Sequence, residues 1–338
     1  MIKKLLLALG LGLCLFLAYH YKSVFYGLQQ AKGQVEVLWN AEEISNLVKK
    51  PGFPDSTKIK FEYIQTVRAF AQKEIGLAES DNYTTFYDQK GKPILWVVTA
   101  SPEFEIKAHE WQFPIVGSFS YKGFFDLDKA KAEAEELKQL GFDTEIDEVN
   151  AWSTLGWFRD PILSAMLERK EGRLAELIIH ELTHATIYRK NEVAFNENLA
   201  TLVGREGARR FLTHKYGKSS PQLKEYEKTL ARKAVFKKWV WQSKQRLDSL
   251  YQSFNEPLNI AEKQILKEQL LDNCKKQLAK ANYYTDSLKA VSRLENFNPN
   301  NAFFSGISTY HSEQDDFKQR LEEEFNGNLK AFVASFKD

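Results

Sequence analysis

The stretch Leu174 to Ala208 reads LAELIIHELTHATIYRKNEVAFNENLATLVGREGA, and its first half decides how the rest is read. Inside it, His180-Glu181-Leu182-Thr183-His184 is an H-E-x-x-H. On a helix, residues four apart lie one turn apart on the same face, so both imidazoles can reach one ion. Glu181 sits about 100° further round, by the 3.6-residue period. From there it can approach a water on the ion without occupying the ion itself, as a general base beside a Lewis acid must. Leu177, Ile178, Ile179 and Ile187 predict a buried helix, dry enough to strengthen electrostatics at the metal.

Working outward, the third ligand must come from another element. The continuation that would put Gly at 187 and His at 190 is excluded, because the chain has Ile187 and Lys190. The best carboxylate is Glu197, in Phe195-Asn196-Glu197-Asn198, with Asn196 as a plausible N-cap for a second helix. If the first helix ended near Tyr188, Arg189 to Ala194 could bring the chain back within reach. Glu192 and His214 are the competing ligands. Two His, one Glu and a water make an open tetrahedral site, which suits one catalytic Zn2+ rather than a structural one. The rest of the composition agrees. Cys14 and Cys274 are the only cysteines, too few for a Cys-based zinc site or a disulfide framework, and there are only six histidines.

The 338 residues suffice for one large domain or two ordinary ones. With 47 basic against 45 acidic residues, the chain has no overall field to attract nucleic acid. Lys3-Lys4 followed by an apolar run from Leu5 to Tyr19 predicts a signal anchor or signal peptide over 1–22. The run is short for a span, and no small-residue cleavage pattern follows it. An uncleaved anchor is favoured, with the bulk of the protein facing away from the cytoplasm, periplasmic or at the cell surface. Residues 23–160 predict helices (Val24 to Lys49, Thr57 to Ile75) and one small mixed sheet. Its strands come from Thr84 to Tyr87, Ile94 to Val98, Trp111 to Val116 and Thr144 to Val149, with a helix from Asp128 to Leu140. Residues 161–338 predict a helical half that holds the H-E-x-x-H helix and a long hairpin over 221–252 and 256–283. The fold class expected is therefore α+β, mostly helical and zincin-like.

At HELTHATIY and FNENLAT the chain resembles the zinc peptidases called gluzincins, in which an N-E-x-x-A helix follows the H-E-x-x-H helix. More closely, it is similar to the bacterial family named "putative aminopeptidases". That likeness also rests on FPIVGSFSYKGFFD (113–126), AWSTLGWFRDPILSAML (151–167), GLQQAKGQVEVL (27–38) and NNAFF (300–304). The resemblance implies an exported or membrane-associated zinc metallopeptidase acting on peptides, with His180, His184 and Glu197 as ligands and Glu181 as catalytic base. No G-x-M-E-N element for a free amino terminus is present. A membrane-associated endopeptidase is thus the first alternative, and a membrane-tethered scaffold with a silent metal site the second.

A peptidase also needs an oxyanion donor. Tyr310 and Tyr188 are the candidates, with His311 behind Tyr310. Residues 153–158 could form an edge strand of the cleft. Asn82-Tyr83-Thr84 matches a glycosylation sequon, and Gly217-Lys218-Ser219 lacks the first glycine of a phosphate loop. Oligomeric state cannot be read from the sequence.

Overall fold

The computed structural model describes residues 3–4, 11, 18–113, 117–149, 159–190, 192–254, 258–280, 297–308 and 314–337. The chain is mostly helical with small sheets, an α+β protein. Helix α1 spans Tyr21–Trp39, β1 Glu42–Glu43, α2 Ile44–Leu47 and α3 Asp55–Phe70. Strands β2 (Thr85–Tyr87), β3 (Leu95–Pro102), β4 (Trp111–Phe113), β5 (Gly117–Phe119) and β6 (Lys122–Phe124) lead into α4 (Leu127–Gln139), β7 (Phe142–Val149) and β8 (Ile162–Leu163). The second half is α5 (Glu171–Thr186), α6 (Val193–Tyr216), α7 (Pro221–Gln252), α8 (Ile260–Lys280), α9 (Asn301–Ser308), α10 (Gln314–Glu323) and α11 (Leu329–Ala334).

The helix expected over Val24 to Lys49 is broken after Trp39. Asn40 turns back to bond the Glu36 carbonyl through both its backbone N–H and its side-chain amide. The chain beyond it is claimed by strand pairing, Glu42 opposite Phe86 and Glu43 opposite Thr85. Phe70 leads directly into a π-helical segment, Ala71–Ile75, closed by Gly76 at φ +81°. The left-handed conformation there favours glycine.

The strands do not form one mixed sheet. Among the described residues they form three small sheets, of which only β1-β2-β8 is mixed, β8 lying parallel to β2. The second is antiparallel, with β3 between β6 and β7, and the third is the β4-β5 pair. Length explains the fragmentation. Only β3 and β7, at 8 residues each, are long enough to carry a packed face. Val98 and Ala100 of β3 are buried with Ala130, Ala134 and Leu137 of α4, whose N-terminus is capped by the Asp126 carboxylate.

One apolar core runs from α1 and α3 through β8, α5 and α6 to the C-terminal helices, and joins residues as distant as Val37 and Phe336. The α7–α8 hairpin has its own seam of Trp239, Leu247, Cys274 and Leu278, closed by Phe304 of α9. A buried ion pair, Lys267 Nζ to Asp143 Oδ2 at 2.7 Å, ties α8 to β7. Among the described residues no helix is long and apolar enough to cross a membrane. Most of the expected anchor lies outside those residues.

Candidate metal centre

Helix α5 places His180 and His184 on one face, as the spacing predicts. It ends at Thr186, two residues before the expected end near Tyr188, because Ile187 turns extended at φ −135° and ψ 112°. The Thr186 hydroxyl helps to close the last turn. It donates to the Leu182 carbonyl at 2.7 Å and accepts from the backbone N–H of Ala78 at 3.0 Å.

Asn196 is not the N-cap of the second helix. Glu192 holds that position, and Asn196 is the fourth residue of α6. Its side chain instead clamps the connection between the helices. It accepts from the Arg189 N–H at 2.8 Å and donates to the Arg189 carbonyl at 2.7 Å. The Arg189 guanidinium also lies over the Phe195 ring, 3.9 Å from its centroid. These contacts pin the start of α6 against the end of α5 and set the register of the next residue, Glu197.

The crossing of α5 and α6 is unusually close, and glycine permits it. A Cβ at Gly204 would stand 2.9 Å from the Glu176 carbonyl oxygen and 3.1 Å from His180 Cβ. At Gly207 it would meet Ile75 at 2.7 Å and Ile179 at 3.0 Å.

The approach brings His180, His184 and Glu197 together. Glu197 Oε2 is 3.5 Å from His180 Nε2, and its Oε1 is 3.4 Å from His184 Nε2. The two Nε2 atoms are 3.1 Å apart. Donors round a tetrahedral ion with bonds of about 2.0–2.1 Å stand roughly 3.3–3.4 Å from one another. The two Glu197 distances run from different oxygens. One donor atom from each of the three residues lies within 4.8 Å of the others, a spacing close enough to that ideal for a zinc-sized ion to draw together, with nitrogen and oxygen donors that suit zinc. His184 is buried with Nε2 facing His180 and Glu197, and among the described residues its Nδ1 has no hydrogen-bond partner.

The electrostatics follow from the clustering. Burial resists charge on Glu197, but hydrogen bonding and attraction to both imidazoles hold its carboxyl well below the ordinary value. Burial likewise resists charge on His180, and Glu197 with Glu181 outweighs it, so that imidazole is pushed up. Burial raises Glu181, with Glu197 and Asp160 adding to it against the two histidines. A carboxylate raised in this way has gained basicity, which suits proton transfer.

The other ligand candidates lie elsewhere. Glu192 is exposed and pairs with Arg189 at 3.5 Å. His214 is near the far end of α6, against Phe70. Tyr188 is 46% exposed. Tyr310, His311 and the edge strand expected over 153–158 lie outside the described residues. Asn82 is buried, its side-chain oxygen accepting from the Asp160 N–H at 3.0 Å, so the folded chain does not offer that sequon for glycosylation.

A family model described as "Putative aminopeptidase" matches residues 25–338. The chain belongs to that family. No curated protein and no solved structure matches it.

Two tyrosines of this chain escape the sequence reading. Tyr121, between β5 and β6, is 42% exposed; the partial burial of its hydroxyl pushes its pKa up, and the charges of Glu197 and Tyr188 add to that. Tyr83 is 1% exposed at φ +64°, and Glu181 heads the charges that add to its burial. Its hydroxyl has no partner among the described residues. Neither carries a local spacing signal. Tyr121 does fall in a quoted family stretch, Phe119-Ser120-Tyr121-Lys122, and that was the available clue.

Proposed function

We propose that the protein is a zinc-dependent peptidase of the gluzincin type with a zincin-like catalytic half over 161–338. In this reading it is an aminopeptidase that acts outside the cytoplasm, held at the membrane by its N-terminal segment. The observation that carries the proposal is the triangle of His180, His184 and Glu197 with Glu181 next to it in the chain. His180 Nε2, His184 Nε2 and a Glu197 oxygen hold the ion. When bound, the ion supplies a Lewis acid for the scissile carbonyl and the attacking water. Glu181 takes the proton of that water and passes it to the leaving amine. Tyr310 and Tyr188 are the candidate donors for the negative charge that develops on the carbonyl oxygen, and Tyr121, whose charge couples to those of Glu197 and Tyr188, joins them. The aminopeptidase assignment leans on the family's name, and the outward location on Lys3-Lys4 and the apolar run after it.

The deciding experiment is a cleavage profile of a peptide library with and without chelator, run on the wild-type protein and on Glu181→Gln. The variant should keep its zinc and lose hydrolysis by at least about 100-fold, the usual scale of general-base catalysis. Retained activity in Glu181→Gln would remove the base assignment. Cleavage of N-blocked as readily as free-amine peptides would remove the aminopeptidase assignment and favour an endopeptidase.

A further inference from the structure

Helix α1 docks on the body of the protein by one face only. Tyr26 donates its hydroxyl to the Gly123 carbonyl at 2.9 Å, and the Gln30 amide donates to the same oxygen at 3.0 Å. Gly33 lies so close to the Phe125 ring that a Cβ there would stand 2.3 Å from it, and Val37 is buried in the main core. The opposite face carries Tyr21, Phe25, Leu28, Val35 and Trp39, each between 59% and 85% exposed. At about 100° per residue, these five fall within about 40° of one line, roughly 150° round from the docked residues. Lys129 of α4 approaches the Phe25 ring, 5.7 Å from its centroid, and still leaves that residue exposed.

The spacing of this face is specific. Tyr21, Phe25, Leu28, Lys32, Val35 and Trp39 follow one another at alternating intervals of four and three, the a/d seam of a coiled coil with one lysine near its centre. A large aromatic side chain offers roughly 150–250 Å². At these exposures the five apolar residues leave about 600 Å² bare on one helix, so two helices would cover about 1,200 Å², above the roughly 1,000 Å² of a specific interface. Charge narrows the choice of partner. Lys22, Lys32 and Glu36 are the only charged residues of α1. A helix that lies in a bilayer surface carries a polar face rich in Lys and Arg. Here the face opposite the seam is packed on β6 and Phe125, and Lys32 interrupts the apolar one. In an antiparallel pair of α1 helices, Tyr21 meets the partner's Trp39, Phe25 the partner's Val35, and the stem of Lys32 the partner's Leu28. Lys22 then faces the partner's Glu36, once at each end. Both are exposed, and neither has an ion-pair partner among the described residues. A parallel pair would set Lys32 against its own copy and leave Lys22 and Glu36 apart.

We propose that α1 is the contact by which this chain pairs with a second copy of itself, the two helices antiparallel and joined along the seam from Tyr21 to Trp39. The contact is isologous, the same patch on both copies about one two-fold axis. That axis crosses the helices, so both N-terminal segments can enter one membrane lying along the pair. The pairing is independent of the peptidase reading.

The test is sedimentation equilibrium of the full-length protein in a mild detergent matched in density to the buffer. The wild type should be a dimer. Leu28→Asp with Val35→Asp should weaken it at least about 100-fold, the scale of an unpaired charge forced into a buried contact. The melting temperature of that variant should hold, because both residues are exposed in the single chain. Lys22→Glu should weaken the dimer several-fold, and adding Glu36→Lys should restore it, as only the antiparallel register allows. A wild type that stays monomeric at the highest concentration reached would overturn the pairing. So would a dimer indifferent to the two aspartates or to Lys22→Glu, or a loss that Glu36→Lys does not repair. A fluorophore on Leu28→Cys, in a Cys14→Ser background, separates the other occupant. Its quenching by brominated acyl chains in phosphatidylglycerol vesicles would give the face to the bilayer and overturn the pairing as well.

Discussion

Asn196→Ala tests how the third ligand is positioned. Asn196 is 4% exposed and makes two hydrogen bonds to one residue, at 2.8 Å to the Arg189 N–H and 2.7 Å to its carbonyl. Each is worth about 1 kcal/mol net, and truncation also leaves both Arg189 backbone groups without their partner. The expected loss of stability is therefore about 2–3 kcal/mol, read by denaturant unfolding of the chelated protein. The larger consequence concerns the metal. The clamp lies one residue from Glu197, whose two oxygens must stay within 3.4–3.5 Å of both imidazoles. Loss of a group that orients a ligand typically weakens metal binding about 10–100-fold. Competition against a chromophoric chelator measures that directly. Asn196→Asp keeps an acceptor for the Arg189 N–H but turns an anion towards the Arg189 carbonyl, so it should not restore affinity. Zinc affinity in Asn196→Ala equal to that of the wild type would refute the argument that this clamp places Glu197.

Three further outcomes can be measured. His184→Ala should purify without stoichiometric zinc, and elemental analysis that still finds one ion per chain would contradict the ligand assignment. Gly204→Ala gains roughly 1 kcal/mol of helix propensity, but its Cβ would stand 2.9 Å from a backbone carbonyl that cannot easily move. Net destabilisation of about 1–2 kcal/mol together with weaker zinc binding is expected, and a stabilised variant would show that the helices have slack. Burial, with Asp147 nearby, pushes the Glu145 carboxyl up to about 7, and its Oε2 has no partner among the described residues. The folded state then holds that proton more tightly than the unfolded one, so the contribution is complete below about 4.5 and is lost as pH rises through about 7. Glu145→Gln should remove up to roughly 2–3 kcal/mol of this pH dependence, and identical unfolding curves at pH 5 and 8 in both proteins would reject it.

The elements that the sequence disclosed are those set by local chemistry. Asp126 and Gly141 bracket a helix by capping alone, and Gly141 does adopt φ +81°. Ser220 before Pro221 likewise opens α7, its hydroxyl oxygen accepting from the Leu223 N–H. His180 and His184 were legible because a 3.6-residue period fixes their face whatever packs against it. The break after Trp39 was not legible, because it depends on Glu42 and Glu43 finding β2 more than 40 residues away. Asn196 misled for a similar reason. Asparagine before a helical run usually caps its own helix, but here its partner is the preceding connection, and the loop geometry that decides this has no local signature.

The same division runs through the face of α5 that carries the site. Gly172, Glu176, His180 and His184 follow one another at intervals of four, a polar stripe along a helix whose other positions include the fully buried Leu174, Ile178 and Leu182. Such a stripe is costly in a core unless every member is compensated. Each member meets its compensation in a different way. Gly172 leaves room for the Tyr226 ring, whose hydroxyl then reaches Glu176. Glu176 is met by Arg173, Arg205 and Lys233, and the two histidines by Glu197. The stripe could be read from spacing, whereas most of its partners come from α6 and α7. A helix face that alternates only polar groups and a glycine through a core is therefore best read as a set of unmet demands. Among the described residues the demand at 180 and 184 is met by the Glu197 carboxylate, a grouping of donors that could hold a metal ion.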